Sequence, residues 1–164
     1  NVIDDASGAT VPVSVVKAID VKPGWKTGTR ITFKQLGHER HDGGPPADMV
    51  FVLDVQPHAR FERLESGGGS DLATHFTLTL RQALCGCRVT LKDIYGDEFK
   101  VDLVHTDGRA VQPGERRRFA GRGLPDQKTG QRGDLVVRFD VELPRRPLSK
   151  EQRAKIKEAL ADVS

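Results

Sequence analysis

Apolar and polar residues alternate along much of the chain, and this two-residue period predicts β-strands. Glycine, proline and short polar residues bound the alternating segments and predict turns between them. A hairpin turn is expected at Tyr95-Gly96-Asp97. The predicted strands are 11–15, 18–21, 30–33, 49–55, 76–80, 88–94, 98–103 and 135–141, with single helical turns at 57–61 and 81–84.

The last segment of the chain changes to a helical period. Ser149 and Gln152 have the spacing of a capping box, which places a helix start at this point. The residues Ile156, Ala159, Leu160 and Val163 follow at i, i+3, i+4 and i+7 and form one apolar stripe. This stripe is expected to dock either on its own module or on a second copy of the chain, and the sequence leaves both open.

One unit of sequence occurs twice. Each copy has a Val-x-Pro-Gly turn, a basic stretch that ends in a glycine loop, and an aspartate that opens an apolar strand. The matching segments are 21–24 with 111–114, 30–37 with 116–123, and 48–55 with 134–141. Two degenerate copies of one unit predict two similar β modules in tandem.

Composition limits the size of each core. The chain has 164 residues, of which 5% are aromatic and 30% charged, so two small cores of aliphatic residues and phenylalanine are expected. No apolar run approaches the roughly 20 residues of a membrane span, and no signal-peptide pattern opens the chain. The chain begins at Asn1 rather than Met, which is compatible with a fragment of a longer protein.

The two cysteines, Cys85 and Cys87, lie one residue apart. This spacing disfavours a disulfide between them, and the chain has no second pair to complete a four-thiolate zinc site. Small packing residues in a reducing compartment are the simplest interpretation, and a cytoplasmic location is therefore expected.

Charge is distributed unevenly. Residues 1–108 carry 12 Lys/Arg against 15 Asp/Glu, whereas residues 109–164 carry 14 against 8. The basic third, centred on Arg116–Arg118 and Arg145-Arg146, could attract nucleic acid or an acidic protein tail. A solvated charged face is the alternative, and it is favoured because no aromatic residues are interleaved with the arginines.

Motifs for catalysis are not found in the sequence. His38 and His41 have a metal-ligand spacing with Asp42, but they lie in a Gly/Pro loop that would not aim both rings at one ion. There is no nucleophile elbow, phosphate loop or dinucleotide fingerprint. Asp54 and Asp140 recur at matching repeat positions, which indicates a structural role. The chain is therefore expected not to be an enzyme, and to hold no metal or cofactor.

Five motifs occur in order along the chain. They are Val-Lys-Pro-Gly-Trp-Lys-Thr-Gly-Thr-Arg-Ile-Thr-Phe (21–33), Pro-His-Ala-Arg-Phe (57–61), Leu-Arg-Gln-Ala-Leu-Cys-Gly (80–86), Gly-Gln-Arg-Gly-Asp-Leu-Val-Val (130–137) and Leu-Ser-Lys-Glu-Gln (148–152). Together they resemble the C-terminal substrate-binding region of J-domain (DnaJ-type) co-chaperones. The resemblance covers residues 11–162, and the Pro-Gly-Trp-Lys form, with no cysteine-rich insert ahead of it, resembles the class that lacks a zinc finger.

The resemblance implies a mostly β fold of two tandem, similar β-sandwich subdomains with short helices, and a V-shaped homodimer. It assigns residues 1–66 and 70–147 to the subdomains and 148–164 to a dimerisation helix. Non-native client polypeptides and the acidic C-terminal tail of a heat-shock ATPase are the implied partners. The family's J domain, with its His-Pro-Asp signature, and its Gly/Phe-rich linker are absent from this chain, which is expected to bind substrate without stimulating ATP hydrolysis.

The resemblance also suggests which residues bind. Phe61 is the leading candidate for a peptide-binding pocket, followed by Val2, Ile3 and Phe51, and core packing is the alternative for each. The family's first subdomain begins upstream of this sequence, so Asn1–Asp4 would represent only part of the strand beside the groove. Only the first module is expected to bind peptide. The residues expected at the dimer contact are Leu148, Ile156 and Leu160.

Two competing classes remain. One is a basic β protein that binds nucleic acid, and the other is a purely structural dimerisation module. No membrane partner is expected, and nucleic acid is the less favoured ligand.

Overall fold

The structure is a computed structural model, and it describes residues 2–3, 10–40, 42–104 and 108–162. The described part is mostly β, which confirms the predicted fold class, while the stacking of sheets into sandwiches stays a prediction. No helix in the described residues is long and apolar enough to cross a membrane. The elements, in chain order, are β1 (Val2–Ile3), β2 (Thr10–Val11), β3 (Arg30–Phe33), β4 (Met49–Val52), β5 (Glu62–Arg63), a 3-10 turn (Ser66–Gly69), β6 (Leu72–Thr79), α1 (Leu80–Cys85), β7 (Arg88–Lys92), β8 (Glu98–Asp102), β9 (Glu115–Phe119), β10 (Leu135–Glu142) and α2 (Lys150–Ala159).

The chain divides into two compact units. Unit 1 comprises Asn1–His58 with Gln127–Gly130, and unit 2 comprises Ala59–Asp126 with Gln131–Ser164. Strand β5 pairs with β6, so the segment before the 3-10 turn lies with unit 2. The sequence had grouped that segment with the first module, and its three-part division of the chain stays a prediction.

Unit 2 is built on a four-stranded sheet in the order β5-β6-β10-β9. Strand β10 lies inside the sheet, parallel to β6 and antiparallel to β9. Alternate residues of β10, namely Leu135, Val137 and Phe139, are fully buried, as is Leu78 on β6. The hairpin β7–β8 contributes buried valine and leucine side chains to the same core. The period-two pattern of β10 therefore defines one buried face and one outer face of the sheet.

Unit 1 contains two short antiparallel pairs. Strand β1 pairs with β2, and β3 pairs with β4. All four residues of β4 are exposed. The apolar run 49–55, expected to be a central strand, is therefore a four-residue strand of a two-stranded sheet.

The two sequence copies share one backbone geometry. The amide of Gln35 donates a hydrogen bond to the Asp48 carboxylate (2.9 Å), and the amide of Gly121 donates to the Asp134 carboxylate (3.2 Å), thirteen residues apart in both cases. Gln35 and Gly121 both adopt positive φ, 57° and 68°. The repeated aspartate therefore satisfies the amide of a tight turn and fixes where the next strand begins.

The glycine two residues after each of these turns is also equivalent. Gly37 donates to the carbonyl of Ala47 (2.6 Å), and Gly123 donates to the carbonyl of Gly133 (2.7 Å). A Cβ on Gly37 would lie 2.7 Å from the Ala47 oxygen, and a Cβ on Gly123 would lie 2.5 Å from the Ser70 oxygen. Each glycine is required because another backbone segment passes too close for a side chain.

A carboxylate junction joins three strand ends in unit 2. The Asp71 side chain is 7% exposed and accepts a 2.8 Å hydrogen bond from the amide of Asp134. Arg118 bridges the Asp71 and Asp134 carboxylates at 3.2 and 3.0 Å. The hydrogen bond to Asp134, with the charge of Asp71 beside it, raises the pKa of the Arg118 guanidinium. The junction sets the register in which β6 and β10 start together.

Both helices start at a capping box, of which the sequence predicts the one on α2. Thr79 and Gln82 form a complete capping box on α1, and Ser149 and Gln152 form another on α2. The predicted helical turn at 81–84 is confirmed by α1. The predicted hairpin is confirmed as well, with Asp93 accepting hydrogen bonds from the amides of its turn.

Three local predictions are wrong. Residues 18–21 form no strand, and the strand expected over 11–15 ends at Val11. Residues 57–61 form no helical turn. In the first two segments the apolar residues beyond Val11 find no strand partner among the described residues. In the third, Phe61 packs in the core of unit 2 without a helical turn.

Substituting Gly133 tests the close approach at the junction. A Cβ at this position would lie 2.5 Å from the backbone of Ser70. We expect Gly133→Ala to lower the free energy of unfolding by at least about 2 kcal/mol, measured by urea denaturation. Gly121→Asn is the control, because a side chain there meets nothing within 4 Å and asparagine tolerates positive φ. Equal losses in the two variants would contradict the steric argument.

Candidate functional site

An apolar groove of about 420 Å³ lies within unit 1. Its floor is formed by β3 and β4, where Ile31 is opposite Phe51 and Phe33 is opposite Met49. These four side chains lie on one face of the pleated pair because alternate residues point the same way. The Phe33 and Phe51 rings meet edge to face at a centroid distance of 5.8 Å.

The segment after β2 forms another side of the groove. Val13 and Val15 line it and are 53% and 59% exposed. Lys17 and His38 also line the groove, and the described lining residues include no carboxylate. The groove therefore combines an apolar floor with a basic residue at its boundary.

The exposure of the groove floor distinguishes the first sequence copy from the second. Met49 and Phe51 are each 41% exposed, whereas the equivalent residues of the second copy, Leu135 and Val137, are completely buried. The register is the same in both copies, with Phe51 opposite Ile31 and Val137 opposite Arg117. One face of the same supersecondary unit is therefore core in unit 2 and open apolar surface in unit 1. A clustered apolar surface of this kind is typical of a binding site.

The residues predicted to bind peptide lie in three different environments. Phe51 is on the groove floor. Phe61 is 6% exposed and packs in the core of unit 2, with the Arg60 guanidinium 5.3 Å from its ring centroid. Val2 is 38% exposed on β1, where Val2 and Ile3 pair with β2, and the side chain of Ile3 lies outside the described residues. A peptide-binding role for Val2, Ile3 and Phe61 stays a prediction.

Sequence reasoning predicts Phe51 but misses other residues that line the groove, among them Val13, Val15, Phe33 and Met49. The pattern at 11–15 predicts Val13 and Val15 only as strand residues. The alternation of valines with Pro12 and Ser14 at 11–15 was the available signal, because it gives the segment one apolar face. What could not be read was which face of the β3–β4 pair remains uncovered.

The residues predicted for dimerisation lie at the end of the chain. Leu148 is partly buried ahead of α2, while Ile156 and Leu160 are 39% and 44% exposed. No residue of α2 is buried. The apolar stripe is thus open in the single chain as far as it is described; its last member, Val163, lies outside the described residues.

The arginine triplet does not act as one basic patch. Arg117 points to the inner side of the sheet, where it pairs with Glu115 at 3.1 Å and donates to the carbonyl of Asp102. Arg118 belongs to the carboxylate junction. Only Arg116 makes no side-chain ion pair among the described residues. This division weakens the case for a nucleic-acid site centred on the triplet.

The remaining polar candidates make contacts with neighbouring side chains. Asp140 lies 3.5 Å from His75 and 3.1 Å from Arg138, and Asp54 accepts a hydrogen bond from Gln56. Burial raises the pKa of the Cys87 thiol, which disfavours its reactive thiolate. The described residues contain no cluster of three or more His, Cys, Asp or Glu that could hold a metal, and His41 lies outside them.

Comparison with known proteins identifies the family. Residues 10–144 match the family model described as the DnaJ C terminal domain. The chain is 40% identical over 145 residues to "DnaJ protein homolog 1" of Drosophila melanogaster, covering 85% of this chain and 40% of that protein. It is 42% identical over 129 residues to the human "DnaJ homolog subfamily B member 5", covering 78% of this chain and 34% of that protein. The chain belongs to the DnaJ C-terminal domain family.

The yeast "Mitochondrial protein import protein MAS5" is a more distant relative. It is 33% identical over 137 residues, which cover 84% of this chain and 32% of that protein. The chain thus spans about a third to two fifths of the length of these relatives. The matches confirm the family that the motifs suggested, whereas the cytoplasmic location stays a prediction.

Replacing Phe61 with alanine tests whether its buried ring stabilises unit 2. We expect Phe61→Ala to lower the free energy of unfolding by about 3–5 kcal/mol, because it removes a ring from the core. Phe51→Ala is the matched control and should cost less than about 1 kcal/mol, since that ring is 41% exposed. Urea denaturation measures both. An unchanged Phe61→Ala midpoint, combined with weaker binding of an unfolded client, would instead support Phe61 as a pocket residue.

Proposed function

We propose that this chain is the client-binding part of a heat-shock co-chaperone. The groove of unit 1 receives extended apolar segments of non-native polypeptides and holds them without chemistry. The observation that carries this proposal is the exposure of Met49 and Phe51 at positions whose counterparts in unit 2 are fully buried. Membership of the DnaJ C-terminal domain family supports it.

An extended segment suits this groove for a physical reason. Side chains of a β-strand point alternately to opposite sides, so every second residue of a client can enter an apolar groove. Val13 and Val15 on one side and Phe33 and Phe51 on the floor offer contacts without a geometric demand for a particular sequence. Selectivity for apolar content rather than for sequence is what a binder of many unfolded clients requires.

The acidic C-terminal tail of the ATPase partner is proposed to dock at the same groove. Lys17 lines the groove, and none of its described lining residues is acidic. An extended tail that carries both apolar and acidic side chains would therefore find an apolar floor and a favourable charge. In this arrangement the tail and the client compete for one site.

Self-association through α2 completes the proposal. Ile156 and Leu160 expose apolar surface that a second copy of the helix or its unit can cover, with Leu148 beside the helix start. Two linked grooves would bind one long client more tightly than either groove alone, because the second contact becomes intramolecular.

The groove is tested with a face-specific pair of variants. We expect Met49→Ser with Phe51→Ser to weaken the binding of a labelled, permanently unfolded polypeptide by about tenfold or more, measured by fluorescence anisotropy. Val50→Ser with Val52→Ser is the matched control. These valines lie on the same strand and are also exposed, but they point to the opposite face.

The two double variants separate groove binding from general stickiness. The control variant should bind client as the unmodified chain does. Equal weakening in both would show that client recognition is spread over unit 1, and unchanged binding in the Met49/Phe51 variant would refute the groove assignment. An acidic tail peptide added as competitor should displace client from the unmodified chain.

Self-association is tested by sedimentation. We expect Leu160→Asp to convert a dimer to a monomer, because a charge on the apolar stripe cannot be buried without a large cost. Ala154→Asp is the control, since it adds the same charge on the opposite side of the helix. A chain that is monomeric before substitution would show that α2 is not a dimer contact under those conditions.

A further inference from the structure

The outer face of the unit 2 sheet carries a row of basic side chains. The strand register places Arg116 on β9 opposite Arg138 on β10, and Arg138 opposite His75 on β6. All three residues are exposed. The equivalent pair in unit 1 is Arg30 with Val52, so the second copy has gained charge where the first has an apolar residue.

The fold neutralises only part of the charge of the two arginines. Like charges directly opposite each other on neighbouring strands repel and destabilise the pairing. Asp140 offsets part of this charge, at 3.1 Å from Arg138 and 3.5 Å from His75. Arg116 has no such partner in the part of the chain that the structure describes.

An open depression lies beside this row. It has a volume of about 670 Å³ and is lined by the turn 112–114 together with Arg109, Glu115, Arg116 and Arg117. The Glu115 carboxylate is paired with Arg117 at 3.1 Å. A Cβ built on Gly114 would lie 3.9 Å from the Nε of Arg138, so this guanidinium reaches the same turn. The depression therefore has room for an anionic group within reach of two guanidinium groups.

We propose that Arg116, Arg138 and His75 form a docking face for an acidic, extended polypeptide segment. A guanidinium binds a carboxylate through two parallel hydrogen bonds, and two guanidiniums on adjacent strands can hold one carboxylate or a close pair. The two guanidiniums lie on neighbouring strands, which are about 4.8 Å apart. Alternate side chains of an extended peptide are about 6.7 Å apart, so the spacing of the arginines is comparable with that of the carboxylates they would bind. The proposal concerns a surface of unit 2 and does not depend on the groove of unit 1.

An acidic peptide fits this face better than nucleic acid does. The row crosses only three strands, about 10 Å, which is too short to follow several phosphates of a backbone. The described neighbours on the face include Ala73, Thr77 and Val136, and none of these offers a ring for base stacking.

The test compares two arginine pairs in the 164-residue chain. The probe is a labelled peptide in which glutamate alternates with serine, and its glutamine counterpart measures background binding by fluorescence anisotropy. We expect Arg116→Gln with Arg138→Gln to weaken binding of the glutamate peptide by about tenfold or more. Arg145→Gln with Arg146→Gln removes the same charge from exposed residues that follow the end of β10 and should change binding by less than about twofold.

A gain-of-binding variant guards against loss of folding. Asp140→Asn removes the carboxylate that occupies Arg138 and His75, so the glutamate peptide should bind more tightly. Unfolding cannot produce that result. If Asp140→Asn leaves the affinity unchanged or weakens it, the proposal is wrong.

Three further outcomes are decisive. If the two double arginine variants weaken peptide binding equally, the effect comes from net charge alone and the proposal is overturned. Stronger binding of a single-stranded oligonucleotide than of the glutamate peptide, at the same salt concentration, would assign the face to nucleic acid instead. The Met49→Ser with Phe51→Ser variant should bind the glutamate peptide normally, and a loss there would place the peptide in the groove and overturn the docking face while leaving the groove proposal standing.

Discussion

Unit 2 depends on one close approach of backbone to backbone. The chain at Ser70 passes so near Gly123 and Gly133 that neither position has room for a Cβ. The amide of Leu72 donates to the carbonyl of Asp134, and the amide of Leu124 donates to the carbonyl of Ser70. These contacts bring together segments that are far apart in the sequence, and the buried Asp71 carboxylate holds them by accepting from the Asp134 amide. From this point β6 and β10 run in parallel, so the register of the whole core follows from it.

Unit 1 keeps the turn but not the core that the turn organises in unit 2. Asp48 and Gly37 reproduce the contacts of Asp134 and Gly123. The face that β10 buries against other strands of unit 2 is left open on β4. Apolar side chains at Met49 and Phe51 are retained although they do not contribute a closed core, and retaining them at 41% exposure is costly unless another molecule covers them. A duplicated unit thus supplies a buried core strand in one copy and an accessible apolar surface in the other.

Much of this could be predicted from the sequence, because the turns are local. A repeated glycine and an aspartate at a fixed spacing specify a tight turn and the strand start after it, and both copies have that geometry. The capping boxes of α1 and α2 are equally local, as is the Asp93 turn of the β7–β8 hairpin. In the capping boxes and the hairpin the hydrogen-bonded residues lie within a few positions of one another. In the repeated turn the aspartate and the amide that it binds are separated by the same number of residues in both copies.

Burial could not be predicted in the same way. Phe51 and Val137 occupy equivalent positions in equivalent strands, yet one is open and the other closed, because burial depends on what packs against the strand and not on the strand itself. The burial of Phe61 could not be predicted for the same reason, since a phenylalanine after a proline-containing loop looks the same in sequence whether it enters a core or lines a pocket.

The three arginines at 116–118 have different roles because they occupy different positions in the sheet. Strand alternation sends Arg117 inward to Glu115, while Arg118 is held by Asp71 and Asp134. Arg116 alone remains available, and the register brings to it a second arginine from β10 that is distant in the sequence. A run of three like charges therefore contributes one structural ion pair, one junction and one exposed cation. The surface that this cation forms with Arg138 is a product of strand pairing, so counting charges along the chain could not identify it.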